Sequence, residues 1–171
     1  DIHNCNEQDK PAIVKQLLAK KENTLLLFKS KQSMLNFKNS LSIMDRMMIA
    51  FEGDRELSAI VRDFQAGDIQ TLCSYHLWEG LDLPEEALTK VIIYDLPFPP
   101  NDPLFDMKRS VVENPYEEVE LPFMQLRLRQ GIGRLIRTSN DKGEIHILLN
   151  QQDEVSTEQI VSVMPVRPTI K

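Results

Sequence analysis

Gln130, Arg134 and Arg137 form the grouping in this sequence that is best suited to binding phosphate. In a helix these positions, i, i+4 and i+7, lie on one side. Each arginine carries a permanent positive charge and a planar set of N–H donors that matches phosphate oxygens. The same pattern also fits an ordinary amphipathic helix whose arginines face water, so the segment alone leaves both interpretations open. The opposite side of the helix is apolar and would pack on a core; it carries Leu128, Ile132, Leu135 and Ile136.

Gly133 lies inside the same predicted helix, between Gln130 and Arg137. A glycine in a helix interior costs up to about 1 kcal/mol relative to alanine. Close approach of a ligand or of another backbone would explain it. We therefore count Gly133 among the candidate residues of a phosphate site.

A second group of candidate functional side chains lies at residues 74–82, with the sequence Ser-Tyr-His-Leu-Trp-Glu-Gly-Leu-Asp. It includes the single tryptophan of the chain. Trp78 in such a segment is more often a core anchor than a ligand platform. His76 has no nucleophile arrangement around it and is more often a satisfied loop residue than a catalytic base. Glu79 and Asp82 have no third ligand nearby, so we expect no metal site here.

The elements that must position these residues alternate between helices and short apolar strands. We predict strands over 24–28, 47–51, 69–73, 89–96 and 143–149, and helices over 11–20, 30–41, 54–65, 102–112 and 123–138. Strands that are apolar throughout and separated by helices indicate a parallel sheet covered on both faces, hence an α/β fold. Residues 1–171 read as one domain, with a peripheral tail over 150–171 where the pattern fades.

In such sheets, ligands bind beyond the carboxyl ends of the strands. This rule selects the segments that follow the first four predicted strands: 29–31, 52–54, 74–82 and 96–103. Residues 74–82 are the richest of the four in polar side chains.

Composition excludes several classes of protein. The chain has 171 residues, 42% hydrophobic and 27% charged, which indicates a globular domain rather than a disordered or fibrous segment. Its formal charge of −6 argues against a free-standing nucleic-acid binder. No apolar run is long enough to span a membrane. Cys5 and Cys73, without a CxxC pattern, provide neither a disulfide framework nor a metal site, which favours the cytoplasm. The polar start without an initiator Met suggests part of a longer protein.

Three stretches, in this order, resemble the motifs of the DinG/XPD branch of superfamily 2 helicases. They are Trp-Glu-Gly-Leu-Asp-Leu-Pro at 78–84, Val-Ile-Ile-Tyr-Asp-Leu-Pro-Phe at 91–98, and Gln-x-x-Gly-Arg-x-x-Arg at 130–137. The chain is most similar to the second RecA-like domain, the C-terminal helicase domain, of bacterial DinG-type proteins. In that family the first stretch belongs to motif V and the third forms motif VI, while residues 24–30 fit motif IV. His76, Leu77 and Glu85 depart from the family's usual residues without interrupting residues 78–82.

This resemblance implies a RecA-like three-layer αβα fold and specific roles for the candidate residues. Arg134 and Arg137 would be arginine fingers that reach the γ-phosphate of ATP held on a partner domain. Gln130 would contact the nucleotide or the attacking water.

The resemblance also assigns residues beside the nucleotide and along the nucleic acid. Glu79, Gly80 and Asp82 of motif V would line the same cleft, together with Gly133. Ser30 and Ser74 would donate hydrogen bonds to phosphates of single-stranded DNA.

The sequence contains no G-x-x-x-x-G-K-[ST] phosphate loop and no Asp-Glu-Ala-His-like magnesium motif. By the resemblance, ATP and Mg²⁺ would therefore be bound mainly by a first RecA-like domain of the same protein, and this chain alone would be inactive. Its cysteines cannot supply an iron–sulfur cluster. Two hypotheses stay open: a motor domain of an ATP-dependent DNA helicase, or an ATP-responsive regulatory or docking module of a DinG-like protein with an attached exonuclease.

Overall fold

A parallel β-sheet forms the centre of the computed structural model, which describes residues 1–79, 88–136 and 142–171. The six strands within these residues are β1 (Ile2–Cys5), β2 (Thr24–Leu27), β3 (Ile49–Phe51), β4 (Thr71–Ser74), β5 (Lys90–Ile93) and β6 (Glu144–Asn150). Their order across the sheet is β1-β6-β5-β2-β4-β3, and every pairing is parallel. The predicted α/β class is confirmed.

Helices cover both faces of the sheet and make it a three-layer structure. They are α1 (Lys10–Leu18), α2 (Lys31–Ser40), α3 (Leu57–Ala66), α4 (Pro103–Ser110), α5 (Leu121–Ile132) and α6 (Thr157–Val161), with a π-helical turn at Tyr116–Glu120 before α5. Apolar residues of α1 and α2 pack on one face, and those of α3, α5 and α6 pack on the other.

Strand β2 shows why the sheet must be covered on both sides. Leu25 and Leu27 belong to the core under α3 and α5, whereas Leu26 and the following Phe28 belong to the core under α1 and α2. Successive side chains of a strand point to opposite faces, so a run of apolar residues can be buried only between two layers.

The arginine-rich helix is displaced from its predicted bounds of 123–138. Helix α5 begins at Leu121, with Pro122 in its first turn, and ends at Ile132, with Gly133 as its C-cap. Two glycines within three residues lower the helix propensity of this end. Arg134 therefore lies in the turn after the helix rather than on its surface, and Arg137 lies outside the described residues.

Two parts of the fold differ from the sequence-based prediction. β1, an edge strand whose two central residues, His3 and Asn4, are polar, has no predicted counterpart. The expected peripheral tail instead contains α6, whose Ile160 is fully buried, and ends with Ile170 paired to Ile2. Backbone hydrogen bonds from Ile2 N to Thr169 O and from Lys171 N to Ile2 O, both 2.8 Å, attach this segment to β1.

Among the described residues, no helix combines the length and the apolar composition needed to cross a membrane.

Candidate functional site

Trp78 joins the loop after β4 to the end of β2. Its side chain is 1% exposed, and the indole Nε1 donates a 3.0 Å hydrogen bond to the carbonyl oxygen of Phe28. A buried indole normally satisfies its N–H in this way. The preferred interpretation of Trp78 as a core anchor is therefore confirmed, and the anchor fixes the start of the loop after β4 against the sheet.

Gly131 lets α5 lie directly against this anchor. A Cβ at Gly131 would be 2.9 Å from Trp78 Cε3 and 3.2 Å from Leu27 Cδ1. The first of these contacts is shorter than real Cβ atoms make and the second is tight, so the absence of a side chain at residue 131 lets the helix approach the tryptophan this closely.

Gly133 itself has ordinary helical geometry, with φ −65°. A Cβ there would lie 3.1 Å from the carbonyl oxygen of Arg129, one turn back in the same helix. Among the described residues, its tight contacts are thus with α5 itself, and its proposed place beside a nucleotide stays a prediction.

The end of α5 and the loop after β4 are in direct contact. Gln130 Nε2 donates a 3.3 Å hydrogen bond to Glu79 Oε2. Gln130 and Arg134 are half-buried, whereas Glu79 is exposed. The structure thus brings together two of the predicted site residues, Gln130 and Glu79, and places Arg134 in the turn that follows α5. Gly80, Asp82 and Arg137 lie outside the described residues.

Ser74 and Glu52 connect the loops that follow β4 and β3. Ser74 Oγ donates to Glu52 Oε2 at 2.5 Å and accepts from Leu77 N at 2.9 Å. The same Glu52 oxygen accepts from Tyr75 N at 3.0 Å, and His76 Nδ1 lies 2.6 Å from the other carboxylate oxygen. Glu52 thereby holds the first residues of the loop in place, a role that residue types alone do not reveal.

These contacts give Ser74 a structural role in the fold, and the expectation that it donates to a DNA phosphate stays a prediction. Ser74 is 0% exposed, and its single hydroxyl proton is already donated to Glu52. In this arrangement Ser74 positions the loop and does not present a donor at the surface.

The Glu52 carboxylate is held in its charged form. Burial disfavours the charge, but hydrogen bonds from Ser74, His76 and the backbone N–H groups of residues 75 and 76 outweigh burial, and the net effect lowers the pKa of Glu52.

Ser30 lies at the exposed start of α2 and retains a donor. Its Oγ caps the helix by accepting a 3.1 Å hydrogen bond from Ser33 N. A serine hydroxyl that accepts in this way can still donate its own proton. Lys29 and Lys31 on either side are exposed. This combination of a helix N-terminus, a hydroxyl and two ammonium groups is suited to a phosphate oxygen.

Asp95, just after β5, connects a third loop to the same edge of the sheet. Its carboxylate accepts from Lys29 N at 3.4 Å and from Ser33 Oγ, and it pairs with Lys10 Nζ at 3.3 Å. Lys10 and Asp95 are both buried, so the pair is shielded from water. The only sequence signal for this junction is the position of an aspartate directly after a buried strand.

Comparison with known proteins identifies the family of this chain. A family model described as "Helicase C-terminal domain" matches residues 13–163, and the chain therefore belongs to this family. More specifically, it is a helicase C-terminal domain of the DinG/XPD type. The chain is 44% identical over 164 residues to the "Probable ATP-dependent helicase YpvA" of Bacillus subtilis (strain 168), a match that covers 95% of this chain and 26% of the relative.

Other relatives carry different names. The chain is 47% identical over 78 residues to the "3'-5' exonuclease DinG" of the same Bacillus strain, covering 43% of this chain and 8% of the relative. It is 33% identical over 109 residues to the "ATP-dependent DNA helicase YoaA" of Escherichia coli (strain K12), covering 60% of this chain and 17% of the relative. The chain thus spans about a quarter or less of these curated relatives.

A solved XPD helicase structure superimposes with a TM-score of 0.67 at 19% sequence identity, covering 86% of this chain and 31% of that one. Its fold agrees with the RecA-like architecture expected from the motifs.

Proposed function

We propose that this chain is the second motor domain of an ATP-dependent DNA helicase. In this proposal it contributes motifs IV, V and VI to an ATP site shared with a first RecA-like domain of the same protein. The hydrogen bond between Gln130 and Glu79 is the observation on which the proposal depends most. It supports the assignment of Gln130 to motif VI and of Glu79 to motif V, and Arg134 follows two residues after the end of the helix that carries Gln130.

The donor set at this end of α5 suits the phosphates of ATP with its Mg²⁺. The guanidinium of Arg134 and the amide of Gln130 both offer N–H donors, and a guanidinium cannot lose its charge at neutral pH. ATP supplies the transferable phosphoryl group. Arg134 and Arg137 supply positive charge where negative charge develops on that group, which is worth about 10³–10⁵ in rate in related chemistry.

Gly80, Asp82 and Gly133 complete the nucleotide-facing surface in this proposal. Gly80 and Asp82 follow Glu79 directly in motif V, and Gly133 directly precedes Arg134. Gln130 couples the two motifs through Glu79, so a change at the phosphate would be felt by the loop after β4.

Single-stranded DNA is the proposed nucleic-acid partner, held at the start of α2. Ser30, Lys29 and Lys31 meet the requirements for a backbone phosphate contact, which positions a strand without reading its sequence. Lys29 and Lys31 make the surface beside Ser30 locally positive, although the net charge of the whole chain is −6.

The alternative function is an ATP-responsive module attached to an exonuclease. The similarity to a protein named as a 3'-5' exonuclease favours it, but that match covers 43% of this chain, whereas the match to a protein named as a helicase covers 95%. The helicase is therefore the preferred proposal.

A strand-displacement assay on the full-length protein separates the two functions. The substrate is a short labelled duplex with a single-stranded extension on either side, with ATP or a non-hydrolysable analogue. The helicase proposal expects release of an intact labelled strand that requires hydrolysable ATP. Shortening of the strand from its 3' end, without release of the intact strand, would favour the nuclease-linked module.

A further inference from the structure

Asp1, His3 and His146 lie together on the edge of the sheet where β1 pairs with β6. His3 pairs in register with Leu148 on the neighbouring strand, so His3 and His146 occupy diagonal positions on the same face. Asp1 lies two residues before His3 and so points to this face as well. One ligand atom from each of the three residues lies within 4.8 Å of the others.

The distances are close to those of a tetrahedral zinc site. His3 Nε2 and His146 Nδ1 are 2.9 Å apart, and His146 Nδ1 is 3.9 Å from Asp1 Oδ2. Ligand atoms about 2.0–2.1 Å from a tetrahedral zinc ion are separated from each other by about 3.3 Å. The observed separations lie on either side of this value, so small side-chain rotations satisfy the geometry.

Glu144 orients His146 in the way that metal-binding histidines are usually oriented. Its Oε2 lies 3.1 Å from His146 Nε2. This carboxylate places the proton of the imidazole on Nε2 and leaves a lone pair on Nδ1, which faces His3 and Asp1. In the observed arrangement His3 Nε2–H then donates to His146 Nδ1. When His3 carries its proton on Nδ1 instead, both facing nitrogens offer lone pairs to a cation, with no net change in protonation.

His146 is 6% exposed, so the cluster lies largely inside the fold. A cavity of about 480 Å³ borders Asp1, Glu144, His146 and Lys171, and it gives a cation a route to the cluster.

We propose that Asp1, His3 and His146 form a zinc-binding site with Glu144 as its orienting partner. Nothing in the helicase function described above requires this site. Two imidazoles and a carboxylate are the ligand types that zinc accepts, with the fourth position left to water.

Lys171 competes with a metal ion for Asp1. Its Nζ lies 2.5 Å from Asp1 Oδ2, so an ammonium group already neutralises the carboxylate that the zinc ion would bind. Zinc binding therefore displaces the Lys171 side chain from Asp1. Because Asp1 and His3 lie at β1 and His146 lies on β6, a bound ion links two segments that are distant in sequence.

The test uses the full-length protein after removal of metal with a chelator, and Co²⁺ as the spectroscopic probe. Tetrahedral Co²⁺ with nitrogen and oxygen ligands gives a visible absorption band that Zn²⁺ bleaches by competition. We expect this band in the wild type and its loss in His3→Gln and in His146→Gln. Glu144→Gln should weaken Co²⁺ affinity by about 10- to 100-fold. Lys171→Met should instead strengthen it, because the competing ammonium is removed.

The control is His76→Gln, which removes the remaining one of the three histidines and lies outside the cluster. It should keep the wild-type band. His3 is only half-buried, so His3→Gln keeps the test decisive even if substitution of the buried His146 prevents folding. Absence of the band in the folded wild type, or a band unchanged in His3→Gln, would overturn the proposal.

Discussion

At the residue scale, Gly131 is the position where one added methyl group has the clearest structural cost. A Cβ there would lie 2.9 Å from the ring of the buried Trp78 and 3.2 Å from Leu27. Overpacking of a well-packed core costs about 1–3 kcal/mol. We expect Gly131→Ala to lower the free energy of unfolding by this amount, measured by urea denaturation of the chain.

Gly133→Ala is the matched control for this prediction, since it lies two residues away with φ −65°. Its nearest contact is a carbonyl oxygen of its own helix at 3.1 Å. The change should alter stability by less than about 1 kcal/mol, because the loss of glycine entropy in the unfolded chain offsets a small strain. Equal losses for both variants would contradict the role assigned to the contact between Gly131 and Trp78.

Glu52 makes the stability of the domain depend on pH. Its pKa in the folded state is lowered from 4.5, because its hydrogen bonds outweigh the effect of burial. A carboxylate whose pKa is lower in the folded state than in the unfolded state stabilises the fold fully at pH values above its unfolded pKa. That stabilisation is lost as the pH falls through the folded pKa. We expect Glu52→Gln to reduce the drop in unfolding free energy between about pH 6 and about pH 3.

The exposed Glu113 provides the control, as Glu113→Gln removes a carboxylate outside this network. Chemical denaturation at several pH values measures both variants. If the unfolding free energy of Glu52→Gln fell with decreasing pH as steeply as that of the wild type, the hydrogen bonds to Glu52 would not be the cause of the pH dependence.

At the element scale, the first turn of α2 combines a helix cap with a proposed phosphate contact. Ser30→Ala removes the 3.1 Å capping bond to Ser33 N and should cost about 1 kcal/mol of stability. Ser30→Asp keeps a strong cap but places a negative charge at the proposed phosphate position. We expect Ser30→Asp to retain stability and to weaken binding of single-stranded DNA by the full-length protein, measured by fluorescence anisotropy.

Helix α1 is held to the end of β5 by the buried pair of Lys10 and Asp95, both 3% exposed. Asp95→Asn leaves the ammonium of Lys10 with only the partly exposed Glu7 as a carboxylate partner within salt-bridge distance among the described residues. Loss of one member of a buried pair costs about 3 kcal/mol or more. Asp63→Asn, in a more exposed pair with Arg55, should cost less than about 1 kcal/mol. Similar losses for the two variants in urea denaturation would contradict this difference.

The elements also show where sequence patterns were informative. The bounds of the buried strand β2, the bounds of the helix α2 and the end of α3 agree with their predicted positions to within about one residue. Each is specified by local signals: an apolar run, a capping side chain, and a glycine with φ +85°.

The parts that sequence did not predict depend on distant partners. β1 is a short edge strand stabilised by β6 and by residues 169–171, which lie at the other end of the chain. The C-terminal end of α5 looked continuous as far as residue 138 because its apolar periodicity continues past the two glycines. Glu52, Asp95 and the pair of His3 and His146 could not be assigned roles, because their partners are brought close only by the folded sheet.

At the scale of the whole molecule, the chain provides one wall of a proposed two-domain nucleotide site. It belongs to the helicase C-terminal domain family and spans about a quarter of the YpvA protein. In this proposal Arg134 and Arg137 act on a nucleotide held by a first RecA-like domain. The hydrogen bond between Gln130 and Glu79 would then connect the nucleotide to the loop after β4.

The most direct test of this account is the effect of Arg134→Ala on ATP turnover by the full-length protein, with ATP binding measured separately under the same conditions. An arginine that acts on the transition state should lower the turnover rate by about 10³-fold or more while ATP affinity stays close to the wild-type value. Arg129→Ala, at an exposed position on α5, is the control and should retain turnover. Loss of ATP binding with normal turnover of the bound fraction, or full turnover without Arg134, would contradict the account.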